Sequence, residues 1–237
     1  MTSDLTDDLS QEALSAALGA RPLRSYAALV STGSAAHAWA AAGAPGGAVV
    51  VAGQQISPRG HAGRPLEDPR GRGLGFSVVL RPSLPAAREG WLSIVALTAL
   101  SDVFGEGATI AWPDEVRTAG ARVCALGVNT RVEGDALLWG ILDVLVAEAP
   151  PPRGPLLAAV LEAIDVRLAA PAAAVLDDCA RVCETLGRRV RVRLRAGTAP
   201  SLEGEAADLL DDGALVLSTA PGTDVPVRPQ DVGCVGV

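Results

Sequence analysis

The chain has 237 residues, 49% of them apolar, and a formal net charge of -7. That length and apolar content suffice for a full hydrophobic core and exclude a disordered chain, while the acidic balance argues against a general affinity for nucleic acid or acidic membranes. All 20 basic residues are arginines, so no side chain can supply an ammonium group.

Residues 7 to 18 have the apolar spacing of a short helix, and Tyr26 to Val30 read as a strand that ends at Ser31-Thr32-Gly33. Ser34 is placed to cap an alanine-rich helix running to Ala42, and the β-branched run from Gly46 to Ala52 predicts a buried strand. Residues 53 to 73 carry glycine, proline and arginine without apolar period and predict a long loop. Strand character returns over 75 to 81. A strongly apolar helix follows over 89 to 104, then strands over 109 to 112, 122 to 128 and 137 to 146, the last read as uninterrupted and therefore central. Pro150-Pro151-Pro152 breaks the chain before helices over 154 to 169 and 172 to 185. Loose alternation of strands and helices predicts an α/β (α+β) domain.

From Arg188 the pattern becomes alternating: Val190, Val192 and Leu194 face one way, Arg189, Arg191, Arg193 and Arg195 the other. With 213 to 217 and 225 to 227, this predicts a small β-barrel of about 50 residues. The acidic residues from Glu203 to Asp212 can pair with the arginines across strands, which favours a solvated face over a nucleic-acid surface. Cys124, Cys179, Cys183 and Cys234 form no CxxC pair; Cys179 and Cys183 fall one helical turn apart and, with only His37 and His61 as histidines, read as buried thiols with no metal site. No basic start followed by an apolar run and no stretch near ~18 apolar residues is found, so a cytoplasmic protein with no membrane partner is expected.

Several ordered segments carry more. Ser31-Thr32-Gly33, Gln54-Gln55, Arg59-Gly60-His61-Ala62-Gly63-Arg64 and 73 to 82 (GLGFSVVLRP) are followed by Ala111-Trp112-Pro113-Asp114-Glu115, 120 to 125 (GARVCA) and Gly140-Ile141-Leu142. In this order they resemble the motifs of biotin protein ligases, and agreement across several motifs is more specific than any one of them. The resemblance implies a biotin/lipoyl ligase-like catalytic domain over 1–185, a mixed sheet with helices, and an SH3-like β-barrel over 186–237, of the ligase-only type. It also implies a two-step reaction: biotin and ATP, with magnesium, give biotinyl-adenylate, which a lysine of a biotin carboxyl-carrier domain then attacks. A homodimer is admitted.

On that pattern Ser31, Thr32 and Gln55 face the biotin head group, Arg59, Gly60, His61, Gly63 and Arg64 lie along the adenylate loop, Trp112, Pro113 and Asp114 join the substrate site, and Arg122 takes the catalytic cation's place. The residue types suit the task, because a glycine-rich loop brings backbone N–H groups close to an acyl-phosphate while arginines neutralise it. The departures are Pro58 for a glycine, His61 for an arginine, Leu66 for an aromatic residue, Ala111 and Arg122 for lysines, and Asp114 for an asparagine. Arg70 and Arg72 add positive charge to the loop. Losing one charge-stabilising contact costs ~3 kcal/mol of transition-state stabilisation. A divergent member is therefore expected, binding biotin or a related acyl-adenylate with weak, altered or lost ligation. The alternatives are an active ligase using Arg122 and a non-enzymatic interaction protein on the same fold.

Overall fold

The structure, a computed structural model, describes residues 7–67, 72–195 and 201–236. The chain runs α1 (Gln11–Leu18), β1 (Leu23–Leu29), α2 (Thr32–Ala41), β2 (Val49–Gln55), β3 (Leu74–Leu80), α3 (Trp91–Phe104), β4 (Ala108–Ala111), β5 (Glu115–Thr118), β6 (Ala121–Glu133), β7 (Ala136–Val146), α4 (Gly154–Ala169), α5 (Ala172–Val182), β8 (Arg189–Leu194), β9 (Leu202–Leu209), β10 (Leu215–Ala220), β11 (Thr223–Val227) and β12 (Val232–Gly236). β1 to β7 form one mixed sheet in the order β1-β2-β3-β7-β6-β5-β4, in which β1 and β2 are parallel and the other pairs antiparallel. β8 to β12 form a five-stranded antiparallel sheet, β11-β10-β9-β8-β12. No helix among the described residues is long and apolar enough to cross a membrane.

Strand parity divides the core in two. Val49, Val51, Phe76, Val78, Leu142 and Val144 point to the face covered by α3, whose residues Trp91 to Ser101 are all buried. Val50, Val79, Trp139 and Ile141 point to the other face, where α2 packs through Ala36 and Ala40. Small side chains let that helix lie close to the sheet. The C-terminal sheet joins the α3 core through Val190, Val192, Ala206, Leu215 and Leu217. At this junction the Trp112 indole N–H donates to the Gly213 carbonyl at 3.2 Å, and its backbone N–H donates to the Thr185 hydroxyl at 3.0 Å. Gly213 has φ +89, and a Cβ there would overlap the Gly90 backbone.

Several sequence expectations shift. Ser31, not Ser34, caps α2: its hydroxyl accepts the Ser34 N–H at 3.1 Å, leaving Ser34 inside the first turn. β1 begins at Leu23, three residues before the expected strand, because parallel pairing with β2 extends to Leu23↔Val49. The helix expected to reach residue 185 stops at Val182, where the chain turns to make the Ile110↔Cys183 bridge. β5 was not anticipated, since its four residues are too few to show a period. Within the span expected as a long loop, β2 continues to Gln55 and the chain over 58 to 66 folds into a tight turn. The arginine face of β8 is solvated, as expected, with Arg191 donating to Glu203 at 2.6 Å from its register partner. Cys124, Cys179 and Cys183 are buried free thiols, and burial pushes Cys124 and Cys179 up to about 12.

Candidate functional site

The α2 face of the sheet is apolar until it reaches the helix N-terminus, where polar residues replace the aliphatic ones. Ser77 on β3 pairs in register with Asp143 on β7, and Asp143 with Gly127 on β6. Thr32 opens α2 directly above them. Its backbone N–H donates to Gln55 Oε1 at 2.8 Å, and its hydroxyl lies 3.0 Å from the same atom. Ser77 Oγ lies 2.8 Å from Thr32 Oγ1 and 2.6 Å from Asp143 Oδ1. Asn129 on β6 donates to Asp143 Oδ2 at 2.9 Å. Asp143 is 9% exposed, and burial pushes its carboxyl up to about 7 against the lowering effect of the Asn129 hydrogen bond.

Glycines make this approach feasible. A Cβ on Gly33 would lie 2.5 Å from Asp143 Oδ1, and a Cβ on Gly75 would collide with the Gln55 amide. Ser31, Thr32, Gln55, Asp143, Arg59 and Leu66 line a cavity of ≈ 10 Å³, room for about one water. The Leu66 methyls occupy the space beside Gly60, and the Gly60 backbone rests on Gly127. The site is thus closed over by its own turn.

That turn is held from within and without. Gly60 N–H donates to Arg64 O at 2.9 Å, Leu66 N–H to Pro58 O at 3.0 Å, and Arg59 bridges to Pro65. Gly63 takes φ +70, which its lack of a side chain permits, whereas Ala62 takes φ 55 with a Cβ in place. His61 is 6% exposed, and its Nε2–H donates to the Val232 carbonyl of β12 at 2.8 Å. Burial lowers its pKa to about 4, so at neutral pH the imidazole is uncharged. His61 ties the turn to the C-terminal sheet instead of presenting a titratable group to a ligand.

The remaining sequence-predicted residues lie to one side. Arg64 is paired with Asp114, whose carboxyl burial pushes up to about 6 despite the nearby Arg64 and Arg122 charges. Arg122 stands half-exposed at the start of β6, its guanidinium 3.4 Å from Glu115 Oε1. Glu115 also pairs with Arg117, which reaches Glu184. Trp112, expected at the substrate site, is 2% exposed in the core, because its indole spans to the C-terminal sheet. Pro113 follows it through a cis peptide bond. Ser31, Thr32, Gln55 and Arg59 are therefore brought together around the cavity, while Gly60, Gly63 and Arg64 belong to the adjoining turn without lining it. Arg122 and Asp114 form a neighbouring charged group. Arg70 lies outside the described residues.

Sequence reasoning missed Asp143, Ser77 and Asn129 as site residues. The signal was present: Asp143 is the only charged residue in the run 137 to 146, which is not uninterrupted after all. A larger groove of ≈ 450 Å³ lies elsewhere, by Trp91, Arg21 and Arg81, but its arginines are committed to Asp165 and to the carbonyls at the end of α2. Among the described residues no three His, Cys, Asp or Glu side chains could hold a metal ion.

No protein-family profile matches the chain. The bifunctional ligase/repressor BirA of Bacillus subtilis is 31% identical over 120 residues, 49% of this chain and 37% of BirA. BirA of Bacillus spizizenii is 29% identical over 118 residues, 48% of this chain and 36% of that protein. The matched stretch thus spans little more than a third of these relatives. Among solved structures, the biotin protein ligase of Aquifex aeolicus in complex with biotin and ATP superposes with a TM-score of 0.68 at 18% identity, over 91% of this chain and 98% of that one. A biotin protein ligase-like protein of unknown function from Silicibacter also gives 0.68, at 14% identity, over 89% and 95%. The biotin acetyl coenzyme A carboxylase synthetase of Helicobacter pylori gives 0.63 at 16%, over 87% and 100%. The chain therefore has the fold of the biotin protein ligases.

Proposed function

We propose that this protein is a divergent biotin protein ligase-like protein that binds biotin or a related acyl-adenylate, with ATP-dependent ligation to a carrier-domain lysine weakened, altered or lost. The observation that carries the reading is the convergence of Ser31, Thr32 and Gln55 on one cavity, with the Arg59-to-Arg64 turn laid over it. Hydroxyls and an amide suit a polar ring head group, and the arginines of the turn suit the carboxylate or phosphate beyond it. ATP would bring magnesium with it. The weakened-activity part rests on charge. Arg64 is neutralised by Asp114 and Arg122 by Glu115, so the cations that would stabilise a reacting acyl-phosphate already have partners. In this reading residues 1–185 form the ligand-binding unit and 186–237 an SH3-like unit that braces its turn, and a biotin carboxyl-carrier domain is the protein partner.

Calorimetric titration with biotin and with a non-hydrolysable biotinyl-adenylate analogue tests the reading, alongside ATP-dependent labelling of a carrier domain. Binding of the analogue with labelling at least a hundredfold slower than that of an active ligase is the expected result. Labelling at a normal rate would establish an active ligase with Arg122 as its cation, and no binding of either ligand would remove the biotin-like site altogether.

A further inference from the structure

The hydrogen atoms around Asp143 can be counted. Gln55 Oε1, Thr32 Oγ1, Ser77 Oγ and Asp143 Oδ1 form a chain of three oxygen-to-oxygen contacts at 3.0, 2.8 and 2.6 Å. Each contact needs one hydrogen. Gln55 Oε1 has none, because it accepts the Thr32 backbone N–H and must be the amide oxygen. The two hydroxyls supply one each, so the third comes from the carboxyl of Asp143. Its neutral acid donates to Ser77, Ser77 to Thr32, and Thr32 to Gln55. This agrees with the raised pKa of Asp143.

This proton order determines what the cavity offers. The hydroxyl hydrogens of Thr32 and Ser77 point along the chain, and what this chain leaves towards the cavity is acceptor capacity on a carboxyl, beside the Ser31 hydroxyl and the Gln55 amide. A neutral urea needs donors for its carbonyl oxygen. An N–C–N group with N–H on both nitrogens and a positive charge needs what the site has, an acceptor pair that becomes a carboxylate. Of the other side chains lining the cavity only Arg59 is charged, and it reaches back to the Gly63 carbonyl at 3.4 Å, at the exposed mouth. The remaining neighbours of Asp143 are uncharged: Thr32 and Gly33 on α2, Gln55 on β2, Ser77 on β3 and Asn129 on β6.

We infer that Asp143 is the specificity-determining residue of this site and selects a ligand with a cyclic guanidinium or amidinium head and an anionic tail, in preference to a neutral cyclic urea. The inference rests on the biotin-like reading of the cavity and names its ligand class. Binding displaces the carboxyl proton to solvent. Ser77 then turns to donate to Asp143, the Ser77–Thr32 hydrogen bond is given up, and the ligand's two N–H groups replace it. The tail runs to Arg59 at the mouth, and the Leu66 turn lifts to admit the head.

The probe pair is biotin and 2-iminobiotin, which differ only in urea against cyclic guanidinium, titrated calorimetrically into the full chain at pH 6 and pH 8 in two buffers of different ionisation enthalpy. The expected result is 2-iminobiotin at least tenfold tighter than biotin at pH 8, with close to one proton released per ligand at pH 6. Asp143→Asn should erase both the preference and the proton release; the wild-type comparison of the two ligands decides the matter even if that variant fails to fold. Biotin binding as tightly as 2-iminobiotin overturns the inference and leaves the biotin-like reading standing. If neither probe nor the biotinyl-adenylate analogue binds, both fall.

Discussion

Arg64 and Asp114 illustrate how one carboxylate can neutralise a guanidinium beside a candidate site. The pair is half-exposed on the arginine side and only slightly exposed on the aspartate side, so the guanidinium already has a carboxylate partner. Asp114→Asn should free Arg64 and tighten the biotinyl-adenylate analogue by about tenfold, one charge-assisted contact, measured by titration at pH 7.5. Lowering the pH through about 6 protonates Asp114 and should raise analogue affinity in the unmodified protein, an effect the variant should lack. Ser31, Thr32 and Gln55 could be singled out from sequence as candidates because ordered motifs carry them. Asp143 could not, because its meaning depends on sharing a sheet face with Ser77 beneath Thr32, which needs the β3–β7 register as well as the placement of α2.

At the scale of elements, α2 is a weak helix made useful by its ends. Its ten residues include Gly33 and five alanines, and its first turn is held by its cap, by the Thr32 hydrogen bonds to Gln55 and Ser77 and by shallow contact with Val50 and Val79. Ser31→Ala removes the hydroxyl that accepts the Ser34 N–H and should cost about 1 kcal/mol in denaturant unfolding. Ligand affinity should fall as well, since the cap and the head-group site share this turn; an unchanged affinity would separate them. The helix could be anticipated from its composition, but its start was misjudged by three residues, because Ser31 and Ser34 are equally good caps locally and only the Thr32–Gln55 contact chooses between them. The five-stranded C-terminal sheet was easier to foresee, as β8 alternates valine and arginine with strict period two.

At the scale of the whole molecule, distant segments are fastened by a few polar ties through apolar surroundings. Arg153, fully buried before α4, receives the Asp8 carboxylate through its backbone N–H at 2.7 Å and its Nε at 3.0 Å, and donates to the Gly73 carbonyl at 3.1 Å. The guanidinium holds the Asp8 carboxyl below the usual carboxylate range, so this stabilisation is present above that range and is lost as pH falls through and below it. Asp8→Asn removes one negative charge beside a buried guanidinium and should lower stability, by up to about 3 kcal/mol, in thermal or urea unfolding. His61 makes the second tie. Its folded pKa of about 4 lies below the ordinary 6.5, so its contribution is complete above 6.5 and declines as pH falls towards 4, by no more than about 3 kcal/mol in all. Asp143, with its raised pKa, acts in the opposite direction over part of that window, so the test is a difference: His61→Gln should flatten the acid side of the stability profile relative to the parent protein.

The same imidazole means that the Pro58-to-Leu66 turn is no independent flap. To swing clear it must either strip His61 from the Val232 carbonyl and expose it to water or carry β12 along. Admission of a guest is thereby mechanically geared to the far sheet, and an isotope label at Val232, remote in sequence from every residue lining the cavity, becomes a gauge of whether the door beneath it is open.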